Sequence, residues 1–325
     1  METLALSLAV FPVCRIQWAA EFRATGGSCN LFGGVMRVGD VQLIDGMRAI
    51  SEIGIDAVEQ EMLKHEQSEC HVIHHFGPGL CIREVHMKAG ALVVGHAHKT
   101  DHVNVMLSGR LLMLKDDGST QEYVAPMMYI GKPGRKVAHI IDDVVWQNIF
   151  ATDSTDIEEI ESIFLDKSES FSDHQIALVT DAIASRDIDR VDYANMLKSF
   201  GISEKDARLI SEFESDQVGF GLGTCLVKTG PSSIEGVGLF ATADIKSGEL
   251  ICPARVGGMR TPAGRYTNHA KHPNAKMQIN HIGDVDLIAL RDIHGCKGGM
   301  DGEEITIDYR SALALSGVHE LEVLE

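Results

Sequence analysis

Acidity is unevenly spread along this chain, and its distribution constrains what each part can fold into. The 325 residues carry 29 Lys and Arg against 47 Asp and Glu, a net charge of −18. Residues 151–217 hold 6 of those bases and 17 of those acids, with neither a proline nor a long apolar run. Such a stretch reads as a solvated helical connector. Ile157, Ile160, Ile163 and Phe164 repeat at helical spacing, and Ile176, Val179 and Ile183 do so again. Ser203 and Asp206 form a capping-box pattern that opens a third helix through Ala207, Ile210 and Phe213, just after a closing Gly201.

The flanks follow another rule. Short alternating segments bounded by glycine, at 80–85, 103–107, 111–114, 144–150, 285–290 and 305–309, predict β-rich regions on both sides of the connector. Residues 50–63 read as a helix and 41–44 as a strand, after a glycine-rich loop at 26–34. The fold class is therefore mainly β with a helical connector. Its parts are 1–48, without a functional reading; a β region with its preceding helix at 49–150; the connector at 151–217; a second β region at 218–312; and an acidic tail at 313–325.

Several function classes are excluded. An excess of acids this large opposes a phosphate-tracking surface, so no nucleic-acid partner is expected. The longest apolar run, residues 4–13, falls short of the roughly 18 residues a membrane span needs. Glu2 stands where a signal peptide carries bases, so a cytoplasmic chain with no membrane partner is expected. Seven cysteines with no C-x-x-C pair argue against both a disulfide framework and a thiolate zinc site.

His96, His98 and His102 share one parity, so on an extended chain they point to one side, as imidazoles must to converge on an ion. Gly90 precedes them, Gly109 follows, and Pro133-Gly134 precedes His139. This spacing resembles the cupin family, with His102 at the position of that family's glutamate. His139 comes one residue late after Pro133, and Asp143 stands in place of the closing asparagine. The resemblance implies a small cupin-like β-barrel over about residues 70–150. It also implies one divalent metal ion on His96, His98, His102 and His139, and a homo-oligomer formed through the barrel. Iron, manganese, nickel and zinc all suit imidazole ligands.

The last third carries Gly236-Val237-Gly238-Leu239-Phe240-Ala241, then Arg265-Tyr266-Thr267-Asn268-His269-Ala270 with Pro273-Asn274, then Gly302-Glu303-Glu304-Ile305-Thr306-Ile307-Asp308-Tyr309. In this order the three segments resemble the SET-domain protein-lysine methyltransferases. The resemblance implies a SET-type β-clip domain that binds S-adenosylmethionine through Gly236, Gly238, Asn268 and His269. It makes Tyr309 the catalytic hydroxyl and a protein lysine the methyl acceptor. Three features depart from the pattern. Only 13 residues separate Ile251 from Arg265, none of the 16 residues after Tyr309 is cysteine, and Ala270 replaces a serine. The expected function is thus S-adenosylmethionine-dependent methylation of a protein lysine by a chain carrying a metal-binding barrel. The rivals are a scaffold built from both β domains and a metal-dependent oxygenase or isomerase centred on the barrel.

Overall fold

The computed structural model describes residues 47, 50, 51 and 53–319. The readings of residues 4–13, 26–34 and 41–44 lie outside the described residues. Helix α1 (Ile55–Met62) leads into β1 (Cys70–Gly77), β2 (Leu80–Met87), β3 (Leu92–Val94), β4 (Ala97–His98), β5 (His102–Leu114), β6 (Thr120–Val124), β7 (Met127–Gly131) and β8 (Val137–Ala151). β1, β2, β8, β5 and β6 are neighbours in that order, while β3 also pairs with β8 and β7 with β5. Every pairing in this sheet is antiparallel.

β5 and β8 run for 13 and 15 residues because each turns a corner and serves two parts of the sheet. The register between them shifts at Met106/Ser108, Ser108/Arg110 and Arg110/Leu111. The inward set on β5 changes accordingly, from His102, Asn104 and Met106 to Leu111 and Met113. Gly109 makes this possible. Its φ is +87°, and a Cβ there would overlap the Asp143 carbonyl oxygen. The two strands expected at 103–107 and 111–114 are one bulged strand, with the glycine acting as the bulge instead of a terminator. The curled sheet encloses Val85, Met106, Leu111, Met113, Ala138, Ile140, Val144 and Trp146. On its other face, Leu92, Leu112, Leu114 and Val137 pack against Met47, Ile50 and Val58.

The connector comprises α2 (Ile157–Phe164), β9 (Leu165–Asp166), α3 (Glu169–Ile183), a 3₁₀ turn at Ala184–Arg186, α4 (Asp187–Ser199) and α5 (Glu204–Glu212). There are four α-helices in it where three were expected, because the 3₁₀ turn separates α3 from α4. Side-chain oxygens of Asp156, Ser168 and Ser203 accept backbone N–H bonds at the starts of α2, α3 and α5. The connector is more than a solvated spacer. Ile157 and Ile160 of α2 are buried with Phe76, Cys81 and Phe150 of the barrel, and β9 pairs with β4 through Leu165 and His98.

The remaining elements are β10 (Gly223–Cys225), β11 (Val227–Pro231), β12 (Val237–Ala241), β13 (Leu250–Val256), β14 (Met259–Arg260), α6 (Pro262–Tyr266), β15 (Asn268–His269), β16 (Ala275–Ile279), β17 (Val285–Ala289), β18 (Glu304–Ile307) and α7 (Tyr309–Leu315). β10 pairs with β1, so the boundary expected at 217/218 does not separate two sheets. One four-stranded sheet has the order β11-β12-β18-β15, with β15 and β18 parallel, and another the order β14-β13-β17-β16. The final strand stops at Ile307, two residues before its expected end. The Asp308 side chain caps α7 by accepting from the Arg310 N–H, and Tyr309 becomes the first helical residue. No helix among the described residues is long and apolar enough to cross a membrane.

Substituting Gly109→Ala should destabilise the protein by roughly 2–4 kcal/mol, combining left-handed backbone strain with the carbonyl overlap. Urea unfolding checks this. A loss below about 0.5 kcal/mol would show that the corner tolerates a side chain.

Candidate functional site

The barrel interior is built in rungs, because directly paired residues on antiparallel strands share a face. Val72, Val85, Trp146 and Met106 make one rung, paired in turn across β1, β2, β8 and β5. Phe76, Cys81 and Phe150 make another across β1, β2 and β8. Between these apolar rungs lies a polar one formed by His74, Arg83, Asn148 and Asn104. Asn104 Oδ1 accepts from Trp146 Nε1 at 3.1 Å and from Asn148 Nδ2 at 2.7 Å, so that half of the rung is satisfied. The other half is not. Both ring nitrogens of His74, which is 1% exposed, and Nε of Arg83 are buried without a hydrogen-bond partner among the described residues. Burial first, and then the Arg83 cation, pushes the His74 pKa down to about 3.

The predicted metal ligands gather only in part. His98 and His102 meet at the end of the barrel next to the Phe150 rung, their rings stacked with centroids 3.7 Å apart and an interplanar angle of 11°. Phe150 lies 6.1 Å from His98 and 6.4 Å from His102. His102 Nδ1–H donates to the Thr100 carbonyl at 3.0 Å, which sets the tautomer and leaves a lone pair on Nε2. Gly131, directly opposite on β7, leaves room for this ring, since a Cβ there would lie 2.7 Å from Nε2. His98 Nδ1 and His96 Nδ1 are buried without partners. Burial, followed for His98 by His102 and for His96 by Arg83, brings both rings down to about 3.

His96 turns its ring to Phe171 of α3, edge to face at 4.6 Å. The chain bends between β4 and β5, so 96, 98 and 102 are not one extended run and the parity expectation does not govern them. His139 is the clear departure. It is the direct partner of Leu92 and Leu112, whose side chains pack with Met47 and Ile50 outside the barrel interior. Ala138 holds the inward position. A histidine one residue late on a strand lands on the opposite face. Among the described residues, no group of three or more His, Cys, Asp or Glu side chains is arranged to share one ion.

In the second β region the predicted cofactor residues meet at one crossing. β15 places Asn268 and His269 beside Thr306 and Ile307 of β18, and β12 carries Gly238 on the other side. Each group is internally bonded. Asn268 Nδ2 lies 3.0 Å from Ser232 Oγ and 3.0 Å from Glu304 Oε1. A Cβ on Gly238 would come within 2.5 Å of the same Glu304 oxygen, so the bare face of this glycine accommodates a carboxylate of the protein itself. Gly236, at φ +52°, is the left-handed turn residue. The Tyr309 hydroxyl donates to the Thr267 carbonyl at 3.0 Å, and burial holds its pKa well above the ordinary value. His269 Nδ1 accepts from the Tyr309 N–H, and its Nε2 lies 3.0 Å from Asp192 of α4. Arg190 of the same helix donates to the carbonyls of Ser233 and Ile234 in the turn before Gly236. Asn274 fastens the crossing by donating to Glu304 O and accepting from the Thr306 N–H, each at 2.8 Å.

Sequence reasoning missed His74, Arg83, Glu304 and the α4 residues Arg190 and Asp192. An inward parity for His74 and Arg83 was readable from the alternation of β1 and β2, but that these groups lack partners was not.

No family model and no curated protein matches the chain. Solved structures align with less than a third of the chain. A cupin domain from Bordetella pertussis is 18% identical, covering 27% of this chain and 98% of that one at a TM-score of 0.23. Ectoine synthase from P. lautus is 14% identical, covering 27% and 67% at 0.23. The EutQ protein of Clostridium difficile is 13% identical, covering 23% and 58% at 0.20. At these scores the likenesses add nothing to the geometry.

The buried imidazoles imply acid sensitivity. Unfolded histidines protonate below 6.5, whereas folded His74, His96 and His98 stay neutral down to about 3. The stability they contribute is present above the unfolded value and is lost as pH falls from 6.5 towards 3. In urea unfolding between pH 6.5 and 5, the loss for His74→Leu should be shallower than wild type by up to about 1.4 kcal/mol per pH unit. Identical slopes would mean that His74 titrates freely.

Proposed function

We propose that this is a small-ligand-binding barrel of cupin type, assisted by a divalent metal held near its mouth. The observation that carries this reading is the stacked His98–His102 pair beside Phe150, with His98 Nδ1 buried and without a partner among the described residues. Neutral imidazoles with unused lone pairs in an apolar surround suit a borderline cation. His98 and His102 would hold the ion, and His96 is the third imidazole at this end. A bound ion would supply Lewis acidity towards the ligand. His102 is oriented for that role by the Thr100 carbonyl, as metal-binding imidazoles commonly are by an outer partner. β9 pairs with β4 through Leu165 and His98, and α2 packs against Phe150 beside these rings.

Methyl transfer from S-adenosylmethionine to a protein lysine is the second reading. What favours it is the meeting of Gly236, Gly238, Asn268, His269 and Tyr309 at one crossing, from three separate segments. As they stand, these residues do not fit the cofactor. The Asn268 amide is taken by Ser232 and Glu304, the face of Gly238 is filled, the Tyr309 hydroxyl is bonded, and α4 is pinned across the turn. The region reads as a scaffold that supports the barrel through the shared core.

Two measurements test this. Titration of the chelator-treated protein with Zn²⁺ should show binding that His98→Ala weakens about tenfold or more and His139→Ala leaves within about twofold. Equal losses in the two variants, or none in His98→Ala, would contradict the assignment. Calorimetric titration with S-adenosylmethionine should show no saturable binding up to about 1 mM, whereas micromolar binding lost in Asn268→Ala would restore the second reading.

A further inference from the structure

The polar rung holds a cation with no direct ion pair among the described residues. Arg83 projects into the barrel between the Val85 and Cys81 positions of β2, with an apolar rung on either side. Its Nε is buried without a partner, and among the described residues no carboxylate pairs with its guanidinium. An arginine placed this way is costly unless an anion meets it. Among the described residues no carboxylate reaches it directly. Glu161 of α2 pairs with Lys167 at 2.6 Å, and Lys228 of β11 pairs with Asp301 at 2.5 Å. Arg83 acts on the Glu161 carboxylate only at a distance, and together with these two cations and two carboxylates it leaves the group with one positive charge in excess. Directly across from it, both nitrogens of His74 also lack partners, so this ring has one N–H to donate and one lone pair to receive a proton.

We infer that Arg83 and His74 form the anchor of a ligand site in the barrel interior, and that its ligand is a small organic carboxylate. This deepens the binding reading given above and rests on it. A guanidinium offers two parallel N–H donors in the plane of a carboxylate, and His74 offers a third donor beside them. One net positive charge matches one carboxylate, whereas a doubly charged phosphate would leave an excess negative charge among apolar rungs. The flanking rungs of Val72, Val85 and Trp146 on one side and Phe76, Cys81 and Phe150 on the other suit an apolar body attached to the acid group. The Phe150 rung leads to His98 and His102, so a ligand held by its carboxylate on Arg83 can extend towards the proposed metal ligands.

The test is calorimetric titration of the full chain, freed of metal by chelation and dialysis, with butyrate and separately with sulfate at constant ionic strength. Butyrate, a monoanion with an apolar body, is expected to bind saturably at one site. Arg83→Met should weaken it at least about tenfold, the scale of losing a charge-assisted pair. His139→Ala, on the outer face of the sheet, should leave it within about twofold, and the use of metal-free protein separates this anchor from the metal assignment. Because Arg83→Met removes a half-buried charge and can alter folding, thermal unfolding of the wild type is the second readout. Butyrate should raise its Tm above that in chloride of equal ionic strength. The inference is overturned by unchanged butyrate binding in Arg83→Met, by sulfate binding as tightly as butyrate, or by neither heat nor a Tm rise with butyrate on the folded wild type.

Discussion

The barrel depends on the corner that β5 and β8 turn together. At Gly109 the chain adopts a left-handed conformation against the Asp143 carbonyl, and the register slips in steps between Met106 and Leu111 on either side of it. The slip exchanges inward and outward parity along β5. Before the corner His102, Asn104 and Met106 face in, and after it Leu111 and Met113 do. Without the exchange, Leu111 and Met113 would lie on the outer face and Leu112 would occupy the interior. The apolar rungs, the polar rung and the histidine pair all take their places from this one constraint.

A polar layer between two apolar ones is an expensive way to fill a barrel. Asn104, Asn148 and Trp146 offset part of the cost by bonding one another. His74 and Arg83 do not, and among the described residues nothing hydrogen-bonds the two His74 nitrogens or the Arg83 Nε, with Glu161 of α2 acting on them only at a distance. Unsatisfied buried groups of this kind are rare in native structures and concentrate where ligands bind. The second β region shows the opposite economy. There, Asn268, Glu304, Ser232 and Tyr309 are bonded to each other or to the backbone, and Asp192 and Arg190 of α4 complete the set. A site prepared for a ligand retains unused bonding capacity, and the barrel has more of it.

Much of the fold was legible because it rests on alternation and capping. The strands at 80–85, 144–150 and 285–290 and the helix cap at Ser203 follow directly from local pattern. The misreadings have a common origin in tertiary context. Gly109 looks like a terminator until its partner strand shows it to be a bulge. Asp308 in a strand-like run becomes a cap once α7 turns away after Ile307. His139 matched a motif loosely by one residue, and on a strand one residue is a change of face. His74 carries no motif spacing that marks it, yet it faces inward with both ring nitrogens unpartnered among the described residues.

The central claim is that binding capacity resides inside the barrel, on the side of His98 and His102 and away from His139. Anomalous diffraction from crystals of the full chain grown with zinc tests it most directly. The expected result is one strong peak about 2.0–2.2 Å from ring nitrogens of both His98 and His102, with none at His139. Peaks confined to His139 or to the outer surface, with an empty barrel mouth, would contradict it.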